Sequence, residues 1–379
     1  MKRSYEIHGY CDPGFIAVKD AFIKNFEDQL ETGASFAATV NGKYVVDLWG
    51  GFSDAAETIA WEKDTITCVY STTKVMTALC ALILVDRGLL DINRPVADYW
   101  PEFAKSGKDK IKVRWLLSHS SGLSGFDKPL SLETMYDWGK SINMLENQAP
   151  WWEPGTASGY HMFTFGYLVG ELIRRVSGKS PGIFFRDEVA IPLNADFHIG
   201  LAKENDVRVA ELIPPAPVTP PPLDPDSIMM KTFFNSPLPM GYSCREWRGA
   251  EIPSTNGHGN ARSAARVGSL LACSGELDGL RLLSKSTVDL ALEEQFNGID
   301  LVMGIPMRWG LGFGLAGELL NYSGSRSFYW SGLGGSWLEM DPDNRMCFSY
   351  VMNKLVLDPE GDQRILSLRD ALFKVMKHL

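Results

Sequence analysis

Residues 75–85 read VMTALCALILV, and this run limits the fold more than any other feature of the chain. Apolar side chains fill nearly every position instead of one stripe, so a helix built on it needs protein on all sides. Ser71 and Lys74 stand just before it, three residues apart. Residues i and i+3 share a helix face, so the two side chains meet on the first turn. Burial penalises the ammonium, and the positive end of the helix pushes the same way. A lysine at its reference pKa of about 10.4 is no base near neutral pH, and lowering it by about three units costs roughly 4 kcal/mol, which desolvation supplies. A neutral Lys74 can then take the proton of Ser71 and make it a nucleophile. A capping serine with a snorkelling lysine gives the same spacing. Snorkelling needs a wet side, and this helix offers none.

The remaining sequence supplies what such a helix must pack against. FIAVKDAFIKNFEDQL (15–30) carries apolar residues at helical spacing. ASFAATV and KYVVDLW are joined by Asn41-Gly42, the strongest short hairpin signal. From 71 to about 290 the pattern is mainly helical, with segments at 73–87, 112–118, 164–177, 183–189, 263–273 and 286–295. IPPAPVTPPPLDP (213–225) is an extended surface loop, because its prolines remove donors and fix φ. After residue 308 the β pattern returns in GLGFGL, SFYWSG, GSWLEMDP and MCFSYVMN, with DPDN as a turn and DQRILSLRDALFKVMKHL as a last helix. The expected fold is α+β: an antiparallel sheet made from both chain ends and flanked by helices, with a mainly helical region inserted. The expected division is residues 1–70 with 291–379 as the sheet domain and 71–290 as the helical domain, with the active site in the cleft between them.

Composition narrows the function classes. The 379 residues are 45% hydrophobic and 22% charged, with a net charge of -9. No long basic run appears, so nucleic acid and anionic membrane surfaces are not expected partners. No apolar run is long enough to cross a bilayer. The start, MKRSYEIHGYCDPGF, has no apolar stretch behind its positive charges, so no secretory signal is expected. Six scattered cysteines without a C-x-x-C pair suit reduced thiols in a cytoplasmic setting.

Other serines and histidines compete with Ser71 less well. Gly178-Lys179-Ser180-Pro181-Gly182 matches G-x-S-x-G, but a nucleophile elbow needs a strand before it, and here a helix precedes. Ser180 is therefore expected to cap a helix. His119 in LLSHSSGL is expected to be a locally bonded loop histidine. His8, His161, His198, His258 and His378 show no metal-ligand spacing. Neither a metal nor a cofactor is expected.

Several motifs recur together and in order: VYSTTK, LLDINRPVADYWPEF, IKVRWLLSHSSGL, WEPGTASGYHMFTFGYLVGELI, NGHGNARSAARVGSLLACSGELDG and FYWSGLGGSWLEMDP. Over most of its length the chain resembles the serine β-lactamase and penicillin-binding-protein-like superfamily, and within it the class C-related family VIII carboxylesterases. The resemblance implies Ser71 as the acylated nucleophile, Lys74 as its base and Tyr160 as the tyrosine that shares proton transfer. It also implies an oxyanion hole from the backbone N–H groups of Ser71 and Leu333, with Trp330-Ser331-Gly332 beside the substrate. Two departures matter. Tyr160-His161-Met162 replaces Tyr-x-Asn, and Trp330 stands where a lysine would bind a drug carboxylate. Both favour a neutral, apolar ester over an anionic lactam, and Trp151 and Trp152 are candidates to line its pocket. The expected activity is hydrolysis of small hydrophobic esters through an acyl-enzyme on Ser71. The alternatives are acyl transfer, weak β-lactamase or D,D-peptidase activity, and a non-catalytic scaffold.

Overall fold

The computed structural model describes residues 5–216, 224, 226–237, 243–317, 324–358 and 361–378. Among them a nine-stranded antiparallel sheet draws on both chain ends. Its strands are β1 (Ile7–Cys11), β2 (Gly33–Val40), β3 (Lys43–Gly51), β4 (Phe296–Ile299), β5 (Pro306–Trp309), β6 (Gly314–Leu315), β7 (Phe328–Ser331), β8 (Trp337–Asp341) and β9 (Met346–Met352). They lie in the order β1-β3-β2-β9-β8-β7-β6-β5-β4. The two ends of the chain meet at β2–β9, where Met346 pairs Val40 and Met352 pairs Ala34. Asn41 and Gly42 both take positive φ, 51° and 77°, as the tight hairpin between β2 and β3 requires. The DPDN turn joins β8 to β9, with Asp341 accepting from the N–H groups of Asp343 and Asn344.

Every residue of β9 is buried, so the sheet is covered on both faces. Successive side chains point to opposite faces. Cys347 points toward the helix α4 (Ala261–Ala272), where a Cβ added to Gly268 would stand 2.5 Å from its sulfur. Phe348 points the other way, against Phe373 of α5 (Gln363–Met376), which packs beside α1 (Ile16–Glu27). The apolar run becomes α2 (Thr73–Asp86), buried from Thr73 to Leu84 and packed on α3 (Thr164–Ser177). Thr77, its one polar interior residue after Lys74, donates its hydroxyl to the Pro253 carbonyl.

Several expectations need correction. The first helix is shorter than 15–30, because Gln29 takes a φ of 60° just past its end. Segment 183–189 divides into a helical turn, Pro181–Phe185, and a wider π turn, Arg186–Ala190. Segment 286–295 stops at Ala291, and the chain enters β4. β structure thus resumes before residue 308, and β1 lies in a stretch with no clear alternation. α4 falls within 71–290 yet lies on the sheet. Of the proline-rich segment 213–225, residues 217–223 and 225 lie outside the described residues. Its first residue, Ile213, is bonded to the chain just after β9.

Candidate active site

The turn into α2 is strained and braced. Tyr70 has a φ of 44°, which is unfavourable for a bulky residue. Its carbonyl accepts from Thr73 Oγ1 at 2.5 Å, and Val69 accepts from Ser336 Oγ at 2.7 Å. Ser336 also bonds Thr72 Oγ1 at 2.9 Å, so the end of β7 and its following turn hold the nucleophile turn from outside. Gly332 makes this approach possible, since a Cβ there would lie 2.1 Å from the Val69 carbonyl oxygen. The bracing holds Ser71 at the first turn, where backbone N–H groups have no intrahelical acceptor.

The structure brings Ser71, Lys74 and Tyr160 together. Tyr160 Oη lies 2.6 Å from Ser71 Oγ and 2.9 Å from Lys74 Nζ. Lys74 Nζ lies 3.3 Å from Ser71 Oγ, the longest of the three separations. Two carbonyls, Met162 at 2.8 Å and Ser254 at 2.9 Å, accept N–H bonds from Lys74. Burial alone drives the lysine pKa well below its ordinary value. A neutral amine spends its two N–H groups on these carbonyls and turns its lone pair toward the two hydroxyls. Burial raises the Tyr160 phenol above its ordinary value, opposed by the bond to Ser71 and assisted by the nearby Asp300 carboxylate. The resting trio therefore carries its protons on the two hydroxyls.

Behind the trio lies an aromatic box. The His119 ring centroid is 4.7 Å from that of Trp309, 5.5 Å from Tyr160 and 5.5 Å from Trp330. His119 Nδ1 accepts from the His161 N–H at 3.1 Å, and burial holds this imidazole neutral. His161 is neutral too: burial lowers its pKa to about 4, while Nδ1 donates to the Gly159 carbonyl and Nε2 accepts from Ser121. His119 is therefore a buried wall residue and not a base within reach of Ser71. Ser180 caps a short helix and donates to Glu251 at 2.6 Å, away from the site.

A cavity of about 640 Å³ opens onto Ser71 and Tyr160. Trp330, Ser331, Gly332, Leu333 and Met162 all line it, as do Met303, Ile305 and Trp337. Trp151 and Trp152 do not. Their indole N–H groups are held by Asp127 and the Ala157 carbonyl, and the lining tryptophans are Trp309, Trp330 and Trp337. Among the described residues the charged lining groups are Asp358 and Asp362, the latter paired with Arg364 at 2.6 Å, and no lysine or arginine lines the cavity. Sequence reasoning also missed Ser254, Ser336 and Asp300. Ser336 was within reach through its place in GLGGSW, whereas the other two act through contacts that only the fold creates.

The chain belongs to the Beta-lactamase family, whose profile matches residues 20–373. It is 33% identical over 373 residues to "Esterase/beta-lactamase LipL" of Mycobacterium tuberculosis, covering 92% of this chain and 83% of that protein. A crystal structure of a family VIII carboxylesterase superposes with a TM-score of 0.93 at 41% identity, over 98% of this chain and 100% of that one. A penicillin-binding-protein homologue from Caulobacter crescentus superposes at 0.92 with 39% identity, over 98% of this chain and 100% of that one. The solved structures therefore share both sheet and helices with this chain.

Proposed function

We propose that the protein is a serine carboxylesterase that cleaves small, neutral, hydrophobic esters through an acyl-enzyme on Ser71. The observation that carries this reading is a Ser-Lys-Tyr trio, all within 3.3 Å of one another, facing a largely apolar cavity with no lysine or arginine among its described lining residues. The short contacts run from Ser71 to Tyr160 and from Tyr160 to Lys74. In the proposed first step Ser71 passes its proton to Tyr160 Oη while Tyr160 passes its own to Lys74 Nζ. The serine oxygen bonds to the ester carbonyl, and the N–H groups of Ser71 and Leu333 receive the developing oxyanion. The carbonyl reforms and the C–O bond to the alcohol breaks. The proton returns through Tyr160 to the leaving alcohol. Water then repeats the sequence against the acyl-enzyme, releasing the acid and restoring Ser71.

The cavity argues against a lactam substrate. Among the described residues its lining holds no lysine or arginine, so a substrate carboxylate gains no cationic partner there. We assign 1–70 with 291–379 to a sheet domain and 71–290 to a helical domain, with α4 packed across the boundary. Six free cysteines support a reducing, cytoplasmic setting, and among the described residues no helix is long and apolar enough to cross a membrane.

Intact mass after treatment with a small fluorophosphonate tests the reading. One adduct on wild type and none on Ser71→Ala is expected, together with turnover of p-nitrophenyl acetate and butyrate. A folded wild-type protein that takes no adduct refutes it and leaves the scaffold alternative.

A further inference from the structure

Asp300 is a fully buried carboxylate close to the trio but outside it. Its Oδ1 accepts from the backbone N–H groups of Tyr160 at 2.9 Å, Val302 at 3.0 Å and Met303 at 3.0 Å. Its Oδ2 accepts from Ser158 Oγ at 2.8 Å and from the Trp309 indole N–H at 3.2 Å. Among the described residues no ion pair neutralises it. Five donors satisfy the carboxylate instead, an arrangement that holds it rigidly in place. The same loop closes on itself and on the tyrosine segment: Leu301 donates to the Ser158 carbonyl at 2.8 Å, and Asp300 to the Ile305 carbonyl at 3.0 Å.

We propose that Asp300 is a positioning residue for the ester-cleaving reaction, clamping the Tyr160 backbone, the 301–305 wall of the cavity and the Trp309 indole into one rigid unit. The proposal rests on the reading of Tyr160 as the proton relay between Ser71 and Lys74. The 2.6 Å and 2.9 Å contacts of Tyr160 Oη hold only if its backbone is fixed along the short segment from Ser158 to Met162. That segment has no regular helix or strand of its own. Asp300 is the side chain that grips it at Ser158 and Tyr160 at once. Met303, Ile305 and Trp309 line the cavity, so the clamp also sets the substrate wall against the relay. Among the described residues the titratable groups around Tyr160 are Lys74, His119, His161 and Asp300, and Asp300 is the carboxylate among them. Its charge supports a protonated phenol, the form the relay needs at rest.

The test is Asp300→Asn, whose amide keeps the shape but turns one acceptor into a donor facing N–H groups. Active sites are titrated with fluorophosphonate, and kcat is expressed per titrated site. We expect kcat per site to fall on the order of 10- to 100-fold, as for damage to a proton-transfer group, and the alkaline limb of its pH profile to move to lower pH. A carboxylate needed only for folding would lower Tm and the titrated fraction and leave both readouts unchanged; that result overturns the clamp. If Asp300→Asn does not fold, Ser158→Ala decides, because it removes one of the hydrogen bonds and keeps the backbone ones. A lower kcat per site with Tm near wild type supports the clamp, and an unchanged kcat overturns it. A wild type that takes no fluorophosphonate label removes the relay reading and the clamp with it, an outcome distinct from a labelled wild type with an indifferent variant.

Discussion

Among the described residues two lysines, Lys74 and Lys108, are fully buried, and their surroundings show what separates a structural ammonium from a proton carrier. Lys108 donates to the carbonyls of Lys105 at 2.9 Å, Glu146 at 3.0 Å and Gln148. Three acceptors match the three N–H bonds of an ammonium, and all three are carbonyls that can only accept. Burial lowers its pKa to about 8, with nearby carboxylates of Asp127 and Glu146 pulling upward. Lys74 has two carbonyls and two hydroxyls instead. A hydroxyl can donate or accept, so the site around Lys74 is satisfied both with and without the proton. The shift comes from burial in both cases; the amphoteric partners make only one of them useful.

The largest expected effect separates the two lysines. Lys74→Met should reduce kcat/KM for p-nitrophenyl butyrate by at least about a thousandfold, the scale of losing an activating base. Its stability should change little, because relief of a desolvated amine and two orphaned carbonyls offset each other. Lys108→Met should do the reverse, leaving activity per folded molecule intact and lowering stability by about 3 kcal/mol, since three carbonyls lose their donor. Kinetics and urea unfolding on both variants decide. Equal activity losses would break the contrast.

Next in size is Tyr160→Phe. With Ser71 and Lys74 3.3 Å apart, direct transfer is poor, and kcat should fall about 10²- to 10³-fold. Fluorophosphonate labelling should slow in parallel. A variant within threefold of wild type would mean that Lys74 takes the proton directly.

The pH dependence sharpens the picture from both sides. Activity should rise with pH as the depressed Lys74 loses its proton, and fall only above the raised Tyr160 titration. Stability has a separate acid limb. His161 is held to about 4 and His258 to about 3, both by burial, while the unfolded chain takes protons near pH 6.5. Both groups are neutral when folded, so stability is fully present above about 6.5. It declines as pH falls from there toward 4 and then 3, by up to about 3 kcal/mol for His161. Urea midpoints between pH 7 and 4 measure the decline, and a His161→Gln variant should flatten part of it.

The sequence carried the site unevenly, for physical reasons. Ser71 and Lys74 are helix neighbours, so spacing and an apolar run were enough to pair them. Asn41-Gly42 announced its hairpin because two consecutive positive φ values have few sequence solutions. Tyr160 lies 86 residues from Lys74, and only the ordered motifs of the family placed it there. Asp300 and Ser254 sit farther still from the residues they hold, in segments whose composition is that of any loop. The box of His119, Trp309 and Trp330 joins three distant stretches, and tryptophans near Tyr160 in the chain, Trp151 and Trp152, were poor guides to tryptophans near it in space. β1 and β4 are edge strands: β1 is mostly exposed, and β4 alternates in burial but spells Phe-Asn-Gly-Ile, too short a run for its residue types to show the alternation.

The smallest expected effect concerns the charge of the cavity, the counterpart of the amine buried behind it. Lys74 is neutral at rest, among the described residues the lining carries no lysine or arginine, and the lining carboxylate of Asp362 already holds Arg364 at 2.6 Å, so a substrate carboxylate finds no free cation there. A p-nitrophenyl ester ending in a carboxylate should therefore react more slowly than the butyrate of similar length. Drawing a carboxylate partly out of water with no cation to pair it should cost about 1–2 kcal/mol, a five- to thirtyfold preference in kcat/KM. Added salt should narrow the difference, because exposed charges are screened. Trp330→Lys should narrow it further by restoring a cation beside Ser71, at some cost to the aromatic box. Equal rates for the two esters at low salt would mean that the cavity tolerates an unpaired carboxylate, and the preference for neutral substrates would then rest on shape alone.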